Sequence, residues 1–139
     1  MFADSLPDGW GRLLVDRILL KNKINPATLS AIDRLAIVGA SGMGALTYEP
    51  DYHFETPASK LDLDKLSNEC AAILASDYSE NLDELFRLGG SSGGARPKIL
   101  TEIDGEDWII KFPAREDSTD IGVQEYEYSL CAKRCGIEM

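Results

Sequence analysis

The stretch LGGSSGGARPKILTEIDGEDWIIKFP, residues 88–113, decides the fold of this chain. Residues 99–103 and 108–112 are rich in side chains that favour β-strands. Asp104 and Gly105, which lie between the two runs, are a strong signal for a tight hairpin turn. The stretch therefore predicts a glycine-serine loop followed by an antiparallel hairpin.

The loop before the hairpin contains four glycines, which lack the side chains that would keep a backbone from a ligand: Gly89, Gly90, Gly93 and Gly94. The backbone N–H groups of such a loop can point together at an anion. Lys111 interrupts the apolar run of the second strand, and a hairpin would return it to the loop. This pattern is typical of a kinase-like lobe that grips ATP. The alternatives are a flexible linker and an edge-strand charge that discourages aggregation.

Composition limits the class of protein. The length of 139 residues suits about one domain, and the net charge of −10 disfavours direct binding of nucleic acid. The three cysteines are too few and scattered for a disulfide framework, and no neighbouring ligands indicate a metal site. No leader pattern and no apolar run of membrane-spanning length are present. We expect a cytoplasmic protein without membrane contact.

The rest of the chain is predicted to be mainly helical, which gives an α+β fold class. Asp8 and Asn25-Pro26 are plausible starts of the first two helices, and Asn22 and Gly39 plausible ends. Residues 44–49 predict a short strand. The glycines of residues 39–44 indicate a structural turn, because a helix precedes them where a dinucleotide loop needs a strand. Apolar spacing predicts further helices over residues 61–75, 81–88 and 123–135.

Glu125, on the last predicted helix, is a candidate partner for Lys111. A desolvated lysine near phosphates needs a carboxylate to hold its charge and direction. Glu127 is the competitor, but two residues further along a helix it faces nearly away, and a solvated glutamate is the ordinary alternative for Glu125. Ser91 and Ser92 are either small turn residues or phosphoacceptors, since a phosphate would strongly change the charge of the loop.

The sequence resembles the HipA family of bacterial serine/threonine kinases, the toxin halves of toxin–antitoxin pairs. Five motifs in family order carry the resemblance: FADSLPDG (2–9), IVGASGMGAL (37–46), GGSSGGARPK (89–98), WIIKFP (108–113) and QEYEYSLCAKRCGI (124–137). The resemblance implies that Lys111 binds ATP, that Glu125 pairs with Lys111, and that the loop covers the nucleotide. It also implies that Ser91, or Ser92 one place away, is autophosphorylated.

The implied activity of the whole protein is phosphate transfer from ATP, with Mg²⁺, to serine or threonine of a protein such as an aminoacyl-tRNA synthetase. The implied partner is a DNA-binding antitoxin. Family members are much longer, with their catalytic and metal-binding aspartates in a C-terminal lobe. We therefore expect a fragment that carries no catalytic or metal-binding residue of its own and is inactive alone.

The expected organisation has three parts. Residues 1–57 are the remainder of the N-terminal subdomain, residues 58–88 are connecting helices, and residues 89–139 are the kinase N-lobe piece with the loop, the lysine strand and the glutamate helix. The alternative function is a non-enzymatic regulatory or partner-binding module of a toxin–antitoxin system. In that case the helices before the loop would supply the interface.

Overall fold

The computed structural model describes residues 3–40, 42, 45–52 and 62–138. The described residues form helices and one two-stranded antiparallel sheet, which confirms the α+β class. The α-helices and strands are α1 (Gly9–Lys21), α2 (Ala31–Val38), α3 (Leu63–Leu74), α4 (Leu82–Gly89), β1 (Lys98–Ile103), β2 (Glu106–Lys111) and α5 (Ile121–Arg134). Short 3-10 helices cover Ala3–Ser5 and Pro26–Thr28.

The hairpin forms where the sequence predicts it. Asp104 and Gly105 make the turn with φ of 54° and 81°, and two central residues of positive φ are what a type I′ hairpin turn needs. The register pairs Lys98 with Lys111 and Ile103 with Glu106. The second strand therefore returns Lys111 to the end of the hairpin at which the glycine-serine loop enters.

The main core joins the hairpin to three helices. Its buried side chains come from α1, α3, α4, β1 and the residue after β2, and include Trp10, Leu14, Cys70, Leu85, Ile99 and Phe112. The indole N–H of Trp10 donates to Lys98 O at 3.2 Å. This bond and the burial of Ile99 fix the start of β1 against α1. The candidate site therefore lies on a packed scaffold rather than on a free hairpin.

The predicted start of the second helix was wrong. Asn25 and Pro26 open a 3-10 turn, in which Asn25 Oδ1 accepts from Ala27 N at 3.0 Å. The α-helix begins at Ala31, because Ser30 forms a capping box with Asp33. Asp33 Oδ2 accepts from Ser30 N at 2.8 Å and Ser30 Oγ from Asp33 N at 3.3 Å. The reciprocal cap satisfies two donors at once and so prevails over the earlier single cap.

The predicted strand over residues 44–49 was also wrong. Its described part, residues 45–49, forms no strand, and Gly44 lies outside the described residues. Tyr48 N donates to Gly39 O at 3.1 Å, a link back to the end of α2 rather than to a neighbouring strand. Leu46 is exposed. Within the described ranges no strand pairs with residues 45–49, and a β-prone run forms a strand only where a neighbouring strand completes its ladder of backbone hydrogen bonds.

The other predicted helices are present within one or two residues of their expected ends. Asp8 occupies the N-cap of α1 but its side chain makes no capping bond to the described residues, whereas Asp62 caps α3 by accepting from Lys65 N. Gly39 ends α2 with φ of 50°. The division into parts at residues 57 and 88 stays a prediction. Among the described residues, every helix is too short or too polar to cross a membrane.

Candidate functional site

Lys111 and Glu125 form an ion pair at the loop end of the hairpin. Lys111 Nζ lies 2.8 Å from Glu125 Oε2, and both side chains are partly exposed. The hydrogen bond from Lys111 lowers the pKa of Glu125, and the charge of Lys111 acts in the same direction. The structure thus brings together two residues that the sequence predicted as partners. Glu127, the competitor, is exposed on α5.

Sequence reasoning missed a second cation on Glu125. Arg96 Nη1 donates to Glu125 Oε1 at 2.9 Å. The same guanidinium donates through Nε and Nη2 to both oxygens of Asp117, at 2.9 Å each. Hydrogen bonding from Arg96 lowers the pKa of Asp117. The only signal in the sequence was the acidic loop of residues 116–120, which gives no indication of a partner 21 positions earlier.

Gly89 and Gly90 lie at the end of α4, not in the open loop. A Cβ at Gly89 would meet Lys98 O at 2.5 Å, and one at Gly90 would meet Phe86 O at 2.6 Å. Gly89 therefore has a packing reason to lack a side chain, since α4 and β1 approach each other closely there, and at Gly90 the obstacle is Phe86 in the preceding turn of α4 itself. Their contact with a nucleotide stays a prediction.

Gly93 and Gly94 form the exposed part of the loop. A Cβ at Gly93 would meet none of the described atoms within 4 Å, and Gly94 has a φ of 80°. Lys98 Nζ donates to Gly93 O. The pKa of Lys98 is lowered, first by burial and then by the charge of Lys111. The exposed backbone of the loop therefore lies beside two lysines on paired strands.

The two loop serines occupy different environments. Ser92 is fully buried, and its Oγ donates to Gly89 O at 2.6 Å. Ser91 is partly buried and lines a cavity of about 190 Å³ together with Val38 and Leu46. In this conformation Ser92 Oγ cannot be reached by a phosphoryl donor without opening the loop. A packed serine also argues against the flexible-linker alternative.

The N-terminal turn of α1 holds the loop in place. Trp10 N donates to Gly94 O at 2.8 Å. A Cβ at Gly11 would lie 2.1 Å from Ser92 O, and one at Gly9 would lie 2.4 Å from Gly94 O. Only glycines allow the helix and the loop backbone to come this close. We call residues 9–11 the loop seat.

Metal ligands are not grouped in the described part of the chain: no cluster of three or more histidine, cysteine and acidic side chains could hold an ion there. Cys70 is buried, while Cys131 and Cys135 are exposed near the end of α5. Lys111, Lys98 and the exposed amides of the loop can together bind an anionic ligand.

Comparison with protein families gives a match at the N-terminal end of the chain. Residues 1–49 match the family model described as the HipA N-terminal domain. No curated protein and no solved structure matches the chain. The chain is thus an α+β protein whose N-terminal portion is HipA-like. The matched region contains the loop seat and ends before the hairpin, so the ion pair of Lys111 and Glu125 lies outside it.

Proposed function

We propose that this chain is the nucleotide-gripping part of a HipA-like serine/threonine kinase. Lys111 contacts the phosphates of ATP, Glu125 orients Lys111, and the loop of residues 89–94 covers the nucleotide. The observation that carries the proposal is the 2.8 Å ion pair between Lys111 and Glu125 at the end of the hairpin where the glycine loop enters. The HipA-like portion at residues 1–49 supports the same family of functions.

The face of the hairpin that carries Lys111 suits a nucleotide. Directly paired residues of an antiparallel sheet project to the same face. On this face the pair of Lys98 with Lys111 is followed by Leu100 with Ile109, and Ile109 is exposed. The two pairs are separated by about 7 Å, two residues of strand rise. A ligand with anionic groups at one end and a flat apolar ring at the other fits this order.

The further activities belong to the whole kinase. In this proposal they are Mg²⁺-dependent transfer of phosphate from ATP to serine or threonine of a substrate such as an aminoacyl-tRNA synthetase, and pairing with a DNA-binding antitoxin. Ser91 is the preferred autophosphorylation site, because Ser92 Oγ is buried and bonded to Gly89 O. The gripping part alone binds nucleotide but does not transfer phosphate.

The test is a titration of the intact chain with MgATP at low salt. Lys111→Ala should weaken binding by at least about tenfold, since hydrogen bonds to charged groups contribute roughly 1.5–3 kcal/mol. Lys133→Ala is the matched control, because it removes the same charge from an exposed position of the last turn of α5. Wild-type affinity in Lys111→Ala would contradict the proposal.

A second candidate function is a partner-binding module of a toxin–antitoxin system. It is favoured by exposed apolar side chains on elements that follow the loop, rather than on the helices before the loop where the sequence placed the interface. On α5 and β2 these side chains are Val123, Tyr126, Tyr128 and Trp108. A protein partner would cover such side chains. This reading predicts that Tyr126→Glu abolishes a complex with the antitoxin, and that MgATP binding is absent or independent of Lys111.

A further inference from the structure

A chain of four charged side chains links the segment before β1, the loop after β2, α5 and β2. Its order is Asp117, Arg96, Glu125 and Lys111, and neighbouring groups are 2.9, 2.9 and 2.8 Å apart. The signs alternate along it. The side chain of Asp117 is 13% exposed and that of Lys111 is 53% exposed. The row of ion pairs therefore has a half-buried end at Asp117 and an end at Lys111 that is open to a ligand.

Arg96 is held in a defined plane by Asp117. Its Nε and Nη2 donate to the two carboxylate oxygens, and a contact of two parallel bonds fixes the guanidinium plane. Asp117 is itself held, because its Oδ2 also accepts from Ala114 N at 2.8 Å. The remaining nitrogen, Nη1, is therefore directed at a single acceptor, Glu125 Oε1.

Glu125 depends on this contact because its helix has little other support. None of the described residues 121–134 of α5 is buried, so apolar packing does not fix the rotation of the helix. Glu125 accepts a hydrogen bond from Arg96 through Oε1 and one from Lys111 through Oε2. Without Arg96 the carboxylate would keep one bond only and could rotate about it.

We infer that Arg96 is a positioning residue, which holds Glu125 and through it the ammonium of Lys111 where nucleotide phosphates bind. The inference rests on the proposed function, in which Lys111 contacts the phosphates. Arg96 acts without touching the nucleotide, because its guanidinium is engaged by two carboxylates. Lysine cannot replace it, since an ammonium is a point charge without the planar fork that binds both Asp117 oxygens.

The test is a double-mutant cycle on the intact chain with MgATP as the ligand. Arg96→Gln should weaken binding by about fivefold, and Arg96→Lys should not restore it. In a Glu125→Gln background, Arg96→Gln should not weaken MgATP binding any further, because Arg96 acts through the carboxylate of Glu125. Arg115→Gln, in the loop that carries Asp117 but outside the ion-pair chain, is the control and should bind as the wild type does.

Each outcome decides a different claim. Wild-type MgATP affinity in Arg96→Gln would overturn the inference, and so would an equal loss of affinity with and without the Glu125 carboxylate. The proposed function would still stand in either case if Lys111→Ala binds MgATP more weakly than wild type. An unchanged Lys111→Ala would overturn both. If Arg96→Gln does not fold, Arg96→Lys goes through the same cycle. Where Arg96→Gln folds, a carbon-13 titration should also show a raised pKa for the Glu125 carboxyl, because the charge of Arg96 lowers that pKa; an unchanged pKa would count against the inference.

Discussion

Replacing Gly11 by alanine tests whether the loop seat holds the glycine loop. The new Cβ would lie 2.1 Å from Ser92 O and 3.0 Å from Gly90 O. Ordinary carbon–oxygen contacts begin at about 3.3 Å, so the loop backbone must withdraw by about 1 Å. Both neighbours are backbone atoms, which cannot rotate away as the end of a side chain can. The withdrawal strains the bond from Trp10 N to Gly94 O, which is 2.8 Å long.

The magnitude follows from three opposing effects. Overpacking of a filled site costs about 2 kcal/mol, and losing one hydrogen bond near a buried group costs about 1 kcal/mol. Alanine in place of glycine in a helix stabilises the folded state by about 1 kcal/mol. We therefore expect Gly11→Ala to lower the free energy of unfolding by about 2 kcal/mol, although the usual effect of this exchange in a helix is stabilising.

The assay is urea unfolding followed by tryptophan fluorescence, with Gly122→Ala as the matched control. Gly122 lies in α5, and a Cβ there would meet none of the described atoms within 4 Å. The control should be stabilised by about 0.5–1 kcal/mol. Hydrogen exchange of residues 90–96 should also become faster in Gly11→Ala. If the two variants shift stability in the same direction, the loop seat does not exist as described.

Three further predictions concern thiols, acid and the loop serine. Burial raises the pKa of Cys70 to about 12. At pH 8 a thiol reagent should therefore modify the exposed Cys131 and Cys135 readily and Cys70 only on unfolding. Rapid modification of all three cysteines in the folded protein would contradict the burial of Cys70. The pKa of Asp117 is lowered by the hydrogen bond from Arg96, and that of Glu125 by the hydrogen bond from Lys111. Their stabilising effect is therefore present above the unfolded values of about 4 and is lost as pH falls through the lower folded values. The difference in the free energy of unfolding between Asp117→Asn and wild type should shrink as pH falls below the unfolded value, and a constant difference would contradict this. Ser92→Ala should lower the free energy of unfolding by about 1 kcal/mol through loss of the bond to Gly89 O, and an unchanged urea midpoint would rule that bond out.

The parts of the fold that local sequence specifies were predicted well. Asp104-Gly105 between two β-prone runs defined the hairpin, because turn type and strand twist are local properties. Glu125 was a candidate partner of Lys111 in the sequence, because a helix after the lysine strand supplies such a carboxylate in kinase-type sites. Their pairing distance needed the structure.

The missed features depend on contacts between distant residues. Two possible helix starts, Asn25 and Ser30, compete within five positions, and the reciprocal cap with Asp33 decides between them. The bond of Arg96 to Asp117 joins residues 21 positions apart, for which no periodic pattern exists. Gly11 was covered by a predicted helix, but periodicity cannot show that a loop backbone packs against it.

The proposed function requires that Lys111 and the exposed part of the loop contact nucleotide phosphates. The most direct measurement is a proton–nitrogen NMR titration of the intact chain with MgATP, compared with adenosine. The Gly93, Gly94 and Lys111 amides should shift with MgATP, and far less with adenosine. Equal shifts with the two ligands, or shifts confined to other parts of the chain, would contradict it.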